Sequence, residues 1–315
     1  MALLLNDPGC STYGKNTGTP GCAFNPDQII GAILIDKDKV FSNSDLESFV
    51  TTLQALTIAG TGTRVYPIFR FDGVTDNTED ISIKTLGYGG KQVTKEGKYD
   101  LLFDMVQGGH CHNVQLRAFN YDKGKKVLFV DKNNIVLGVT DGSDGMKGFS
   151  LDFVHTYPFK VNSGEDAAKY MIRFALARPE EMNEELVYFD AGESIEDAIK
   201  GLLDIEMYNI GAGSATKKHT IGIRTKCDKV SLYDAYSSIF VTSFATIFTA
   251  TKSGVAANPV AAVAVPASKG IELEFAAVGT HIITMATPSV LAGVNIGAAP
   301  DNGYECLSTL SVTVA

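Results

Sequence analysis

Apolar and polar residues alternate through the centre of the chain, between residues 79 and 178, with the two-residue period of half-buried β-strands. The predicted strands lie at 81–86, 98–106, 127–130, 135–139, 149–155 and 168–177. Glycine, asparagine and aspartate separate these runs, as is typical of turns between antiparallel strands. Between residues 113 and 120, Val114, Ala118 and Phe119 fall at helical spacing. The pattern therefore predicts antiparallel sheets with one short helix among them.

Residues 28–71 add two further strands and a helix to this pattern. The run 29–35 is continuously apolar and predicts a buried strand, whereas 65–71 contains Pro67 and predicts an edge strand, because proline cannot donate to a ladder. Ser44 and Glu47 have the spacing of a capping box at the start of a helix. The apolar stripe of that helix consists of Leu46, Phe49, Val50, Leu53 and Leu56.

The composition changes twice along the chain, which predicts three parts. Residues 1–27 are rich in glycine and proline and predict an extended arm, ordered by a neighbouring subunit or not at all. Residues 28–190 form the main domain, and a polar link at 179–185 leads towards its end. Residues 191–315 begin with a helix and continue in short, alanine- and valine-rich strands such as 244–251.

The predicted fold class is mainly β (α+β). The main domain is expected to be an antiparallel β-sandwich or barrel with one or two flanking helices. The C-terminal part is expected to be a smaller β-sandwich, for which an immunoglobulin-like architecture is one candidate, although the chain contains no tryptophan.

The layout of the main domain resembles that of bacteriophage tail tube proteins. The resemblance is carried by strands, a Gly-Gly break, a helix in the middle, and then the paired runs 126–138 and 148–151. It covers residues 28–190 and concerns layout, because the family has no short diagnostic motif. It implies a subunit that self-assembles into stacked homohexameric rings around a lumen that conducts DNA. The implied partners are other copies of the chain and other tail proteins. The implied location is the virion tail, after synthesis in the host cytoplasm.

The charge of the chain is compatible with such a lumen. The formal net charge is −9, and the segment from Asp152 to Glu206 contains thirteen acidic residues and five basic ones. This excess repels phosphate and argues against specific binding of nucleic acid. In a regular strand Asp100 and Asp104 share one face, opposite Leu101 and Phe103. Some of these carboxylates are therefore predicted to line the lumen and to keep DNA from adhering.

Hydropathy and cysteine spacing predict a protein that folds in the cytoplasm and needs no membrane. There is no apolar stretch of eighteen residues, and the first residues lack the features of a signal peptide. The five cysteines form no CxxC pair, and free, reduced thiols are expected. Cys10 and Cys22 lie close enough in the arm to approach each other.

His110, Cys111 and His112 form the only cluster of metal-ligand residue types. On a strand the two histidines share a face and could hold one ion, with His155 as a further ligand. At the start of a helix they diverge, and the segment is then a loop entering the helix, with Cys111 buried. The second interpretation is favoured.

Three other motifs fail as functional sites. The glycines at 87–90 lack the Lys-Ser/Thr pair of a phosphate loop and are interpreted as turn positions. The segment 141–145 resembles half a calcium loop but lacks the terminal glutamate, which favours a surface loop over a weak calcium site. Ser237, His219 and Asp228 could be combined into a triad only arbitrarily, because no nucleophile elbow is present.

The predicted function is therefore structural and not enzymatic, with no catalytic, cofactor-binding or metal-binding residue assigned. The favoured hypothesis is a virion structural protein, the subunit of a phage tail tube. One alternative is a capsid or head-decoration protein. Another is a carbohydrate- or surface-binding β-sandwich module.

Overall fold

The computed structural model describes residues 27–106, 109–164, 167–298 and 303–315. The predicted arm at 1–27 thus lies almost entirely outside the described residues. The chain divides into two compact units. Unit 1 comprises the described residues up to Leu56 together with Thr61–Ala198, and unit 2 comprises Thr57–Gly60 and Ile199–Ala315. Strands dominate both units, so the protein is mainly β, as predicted.

Unit 1 contains thirteen strands and five short helices among the described residues. In chain order these are β1 (Ile29–Asp36), β2 (Val40–Phe41), α1 (Asn43–Glu47), α2 (Phe49–Thr57), β3 (Tyr66–Phe69), β4 (Gly73–Asp76), β5 (Ser82–Thr85), β6 (Lys91–Lys95), β7 (Asp100–Met105), α3 (Gly109–Leu116), β8 (Lys125–Asp131), β9 (Ile135–Thr140), β10 (Met146–Lys147), β11 (Phe149–Thr156), β12 (Tyr170–Leu176), α4 (Glu180–Asn183), β13 (Leu186–Asp190) and α5 (Ile195–Ala198).

The strands of unit 1 form a sandwich of two antiparallel layers. One layer has the order β3-β1-β8-β9-β13, and the other has the order β4-β7-β12-β11. The layers are connected because Phe149 and Ser150 of β11 pair with the start of β8. Within the described chain neither layer closes into a barrel. The sandwich form of the prediction is therefore confirmed.

Phenylalanines fill the space between the two layers. Phe129 of β8 lies 5.8 Å from Phe149 and 5.8 Å from Phe174, measured between ring centroids, and Phe103 stacks on Phe71 at 4.4 Å. Four of these rings, those of Phe103, Phe129, Phe149 and Phe174, are completely buried. Large aromatic side chains bury the most apolar area per residue, so this cluster contributes strongly to the stability of unit 1.

The first helix begins two residues earlier than its sequence pattern predicts. The capping box is formed by Ser42 and Asp45, not by Ser44 and Glu47: the Asp45 backbone N–H donates to the Ser42 hydroxyl, and the Asp45 carboxylate accepts from the Ser42 N–H. Two overlapping S-x-x-D/E spacings are present, and the chain uses the first, directly after Phe41 of β2. The helix is also interrupted at Ser48, which separates α1 from α2.

The structure tests two further predictions in unit 1, the edge position of the strand at 65–71 and the start of the central helix. Strand β3 pairs only with β1, so Pro67 lies on an edge strand as predicted. Helix α3 begins at Gly109 instead of at Asn113 and passes into a 3₁₀ turn at Arg117–Phe119. The apolar spacing marked only the second half of this helix, because its first turn consists of polar residues.

Unit 2 contains nine strands and three helices among the described residues. In chain order these are β14 (Leu203–Ala212), β15 (Lys218–Thr225), α6 (Tyr233–Thr242), α7 (Phe244–Ile247), β16 (Phe248–Lys252), β17 (Val255–Ala256), β18 (Ala261–Val265), β19 (Gly270–Glu274), β20 (Gly279–Met285), α8 (Pro288–Gly293), β21 (Tyr304–Glu305) and β22 (Leu310–Val314).

Two sheets of unit 2 enclose a second core. One sheet has the order β18-β19-β15-β14-β21 and the other β17-β16-β20-β22. Ile221 of the first sheet and Ile283 and Val312 of the second belong to the same buried cluster. The smaller C-terminal β-sandwich is therefore present.

The sequence pattern missed the helices of unit 2. Helix α6 places Tyr233 and Phe240 in the core, and the predicted strand at 244–251 starts as helix α7 before extending at Phe248. The aromatic and small residues of segment 244–251 are compatible with both helix and strand, so the sequence pattern did not distinguish the two.

Candidate assembly surface

Strands β5 and β6 form a hairpin that extends the antiparallel pair β4–β7. Ile83 lies opposite Val93, and Thr85 lies opposite Lys91. The turn closes where the Leu86 N–H donates to the Gly90 carbonyl at 2.7 Å, and Gly89 adopts a φ of +81° that favours glycine. The glycines at 87–90 are thus turn positions, as predicted. Strand β6 itself was missed.

The base of the hairpin is tied tightly to the sandwich. The Asn77 N–H donates to the Asp100 carbonyl at 2.8 Å, and the Glu79 N–H donates to the Lys98 carbonyl at 3.1 Å. A Cβ atom at Gly97 would lie only 1.7 Å from the Glu79 carbonyl oxygen, so only glycine permits this approach. The hairpin therefore leaves the sandwich in a defined direction.

Every residue of both hairpin strands is exposed. The exposed apolar side chains are Ile81 (55%), Ile83 (51%), Leu86 (47%), Tyr88 (107%) and Val93 (53%). Ile83 and Val93 are cross-strand partners and so lie on one face. An isolated two-stranded hairpin is only marginally stable in water. A group of uncovered apolar side chains on such an element is typical of a contact surface.

The outer half of the hairpin carries positive charge on a chain whose net charge is −9. At its base, the Lys95 ammonium lies 2.5 Å from the Glu79 carboxylate, which lowers the pKa of Glu79. Lys84 and Lys91 are exposed and make no ion pair within the described part of the chain. The tip is therefore both apolar and basic, and it fits an acidic surface with exposed apolar groups.

Strand β4 provides an open sheet edge beside the hairpin. It pairs with β7 alone, and the backbone groups on its other side pair with no strand of the described chain. Val74, at its centre, is 52% exposed. Unpaired edges of this kind accept a strand from another chain.

The predicted arrangement of Asp100 and Asp104 is confirmed, but their charges are neutralised. The two carboxylates lie on one face of β7, and the buried side chain of Phe103 lies on the other face. The Arg173 guanidinium binds both carboxylate oxygens of Asp100, with Nε 2.6 Å from Oδ1, and the Lys169 ammonium lies 2.6 Å from the Asp104 carboxylate. Asp100 raises the pKa of Arg173 further. These two carboxylates therefore add no uncompensated negative charge, and an acidic lumen would need other residues.

The His110–Cys111–His112 segment lies in the first turn of α3, so the three side chains diverge. It is therefore part of the helix and not a loop before it, and Cys111 is half-buried, not buried as predicted. Burial, with a smaller effect from Arg70, lowers the pKa of His112. Among the described residues no three His, Cys, Asp or Glu side chains are grouped as metal ligands.

The Asp141 loop and the proposed triad also have structural explanations. The Asp141 carboxylate accepts from the backbone N–H groups of Ser143 and Gly145, at 2.8 and 3.0 Å, and these bonds lower its pKa. It therefore closes its own loop. His219 contacts the Asn209 side chain, and Asp228 accepts from the Thr225 hydroxyl, so no triad forms.

The expectation of reduced cysteines is wrong for two of them. Cys111 and Cys227 are each disulfide-bonded, whereas Cys306 is free. Pairing depends on which Cα atoms the fold brings within about 4.4–6.8 Å, and sequence spacing does not reveal this. Cys10 and Cys22 lie outside the described residues.

Comparison with protein-family models and with curated proteins finds no match to this chain. None of the helices in the described ranges is long and apolar enough to cross a bilayer. The function must therefore be inferred from the surfaces, of which the exposed hairpin and the adjacent open edge are the most distinctive.

Proposed function

We propose that this chain is a virion structural protein, the self-assembling subunit of a phage tail tube. The observation that carries the proposal is the β5–β6 hairpin, whose apolar side chains are uncovered although the base is held rigidly. Such a hairpin gains stability by docking on another copy. The contact is heterologous, since a hairpin meets a different surface, and repeated heterologous contacts build rings and filaments.

The open edge of β4 supports the same conclusion. A sheet that ends in an unpaired strand can continue into the sheet of a neighbouring copy, and rotation about an axis then closes a ring. In the proposed assembly the edge of β4 makes the lateral contact and the hairpin makes the axial contact. This pairing of contacts favours a stacked tube over a closed shell and over a monomeric binding module.

The charge distribution fits passage of DNA without adhesion. Asp100 and Asp104 are paired with Arg173 and Lys169, so these basic groups are also occupied and are not free to bind phosphate. The remaining acidic excess of the chain repels phosphate. DNA conduction is part of the proposal on this basis.

Electron microscopy and size-exclusion chromatography of the double variant Ile83→Asn/Val93→Asn test the proposal. The wild-type protein should form rings or tubes, and the variant should remain folded but dissociated. Val263→Asn is the matched control, since Val263 is equally exposed, at 51%, on a strand of unit 2. The proposal fails if the hairpin variant assembles as well as the control. It also fails if concentrated wild-type protein stays monomeric or forms closed shells.

A further inference from the structure

Two of the five histidines lie inside the sandwich of unit 2. His219 of β15 is 4% exposed and His281 of β20 is completely buried. Histidine is the side chain whose charge ordinarily changes between pH 5 and 8, so a buried pair can make a core sensitive to pH.

The surroundings of His281 accommodate only a neutral ring. Its Nε2 lies 3.0 Å from the Ala277 carbonyl oxygen, to which it donates, so in the neutral ring the proton is on Nε2 and Nδ1 has none. Nδ1 is buried and makes no hydrogen bond. The ring stacks on Phe275 at 4.4 Å between centroids. Burial, with a smaller effect from the Lys252 charge, lowers the pKa of His281.

His219 is in a similar position. Its Nε2 lies 2.8 Å from the Asn209 side-chain oxygen, and its Nδ1 is buried. Burial lowers its pKa, and the backbone of Thr313 offsets part of this effect. The charged residues beside it on β15 and β19 are already paired, since Lys218 lies 3.2 Å from Glu272 and 3.8 Å from Glu274. No free carboxylate among them is available to stabilise a charged imidazole.

Both histidines adjoin the last strand, β22. His281 is the cross-strand partner of Val312, and Thr313 is the neighbour of His219. The end of the strand is held where the Lys217 N–H donates to the Ala315 carbonyl at 2.7 Å. Val312 and Val314 are buried in the core, at 2% and 1% exposure. Displacing either ring would therefore loosen β22.

We propose that unit 2 is an acid-sensitive element in which proton uptake by His219 and His281 releases β22 from the sandwich. The native state holds both rings neutral, whereas an unfolded segment takes up protons near pH 6.5. The stability of the closed state is fully present above that pH and is lost as the pH falls below it. Each histidine should favour opening by up to about 10-fold between pH 7.5 and 5.5, and the pair by up to about 100-fold, the upper limit applying when both native rings stay neutral throughout. This inference does not depend on the proposed assembly.

Hydrogen exchange of the full-length chain, corrected for the intrinsic pH dependence of exchange, tests the proposal. Between pH 7.5 and 5.5, amides of β22 and β20 should lose protection by up to about 100-fold. Amides of β8 in unit 1 should not. The variant His219→Gln/His281→Gln should remove the pH dependence at β22, whereas the control His155→Gln in unit 1 should leave it unchanged.

Unchanged protection of β22 at pH 5.5 would overturn the proposal, as would full pH dependence in the double variant. If that variant does not fold, NMR of the imidazole rings in the wild-type protein tests the proposal by measuring the pH at which each ring becomes protonated. Both rings should remain neutral well below pH 6.5 until β22 opens. Titration of both rings near pH 6.5 with β22 still protected would rule the mechanism out.

Discussion

Two hairpins in unit 1 have opposite relations to the rest of the protein. In the β8–β9 hairpin, residues 127–130 are completely buried, and the turn is held by buried Asp131, whose carboxylate accepts from the N–H groups of Asn133 and Ile135 at 2.8 and 2.9 Å. In the β5–β6 hairpin every strand residue is exposed.

The comparison separates residues that maintain the fold from residues that are available for contact. The apolar side chains of β8 in the β8–β9 hairpin are buried within unit 1, so changes there should affect stability. The side chains of β5–β6 are covered by nothing in the described chain, so changes there should affect assembly and leave stability nearly constant. Matched substitutions in the two hairpins test this division.

The largest difference is expected between Phe129→Ala and Ile83→Ala. Phe129 is completely buried among three other phenylalanines, and its truncation should lower the free energy of unfolding by about 3–5 kcal/mol. Ile83 is 51% exposed, and its truncation should change that free energy by less than about 0.5 kcal/mol. Urea denaturation of dissociated protein measures both. Equal losses would show that the hairpin belongs to the core.

Asp131→Ala should have the next largest effect. Removal of the carboxylate leaves the Asn133 and Ile135 N–H groups without their partner and should cost about 1–3 kcal/mol. Asp80→Ala, at the exposed base of the other hairpin, is the control and should have no measurable effect on unfolding. A neutral result for Asp131→Ala would mean that water replaces the carboxylate.

The glycines of the two hairpins form a third pair. A Cβ atom at Gly138 of β9 would lie 2.7 Å from Met146 and 2.9 Å from Leu128, so Gly138→Ala should cost about 1–3 kcal/mol. Nothing lies within 4 Å of a Cβ atom at Gly87. Gly87→Ala should therefore leave the thermal midpoint unchanged. A destabilising effect at Gly87 would indicate that the exposed turn is crowded.

The smallest effect on stability is expected for Lys84→Gln combined with Lys91→Gln. Both ammonium groups are exposed and make no ion pair within the described residues, so the thermal midpoint should not change. If the basic tip guides docking, light scattering should show slower assembly at low salt and little difference at high salt. Equal assembly rates at low salt would exclude a role for these charges.

The candidate surface was only partly predictable. The run 81–86 and the glycines that follow it indicated a strand and a turn. Strand β6 contains one apolar residue, Val93, between polar neighbours, so its periodicity was too weak to detect. The pattern showed part of this difference, because residues 127–130 are continuously apolar whereas residues 82–85 alternate. Alternation predicts a strand with one buried face, so the exposure of both faces of β5–β6 could not be derived from it.

The sequence alone determined which side chains share a face. Asp100 and Asp104 lie opposite Phe103 because successive side chains of any strand point to alternate sides. It likewise determined the edge position of β3, since Pro67 cannot donate a hydrogen bond.

Only the tertiary structure decided which residues that are distant in sequence come into contact. Arg173 neutralises Asp100 from 73 residues away, and Cys111 and Cys227 each form a disulfide although neither lies in a CxxC pair. His219 and His281 become buried because strands distant in sequence close over them. Contacts of this kind depend on the packing of whole layers, and a local pattern carries no information about which layers will pack together.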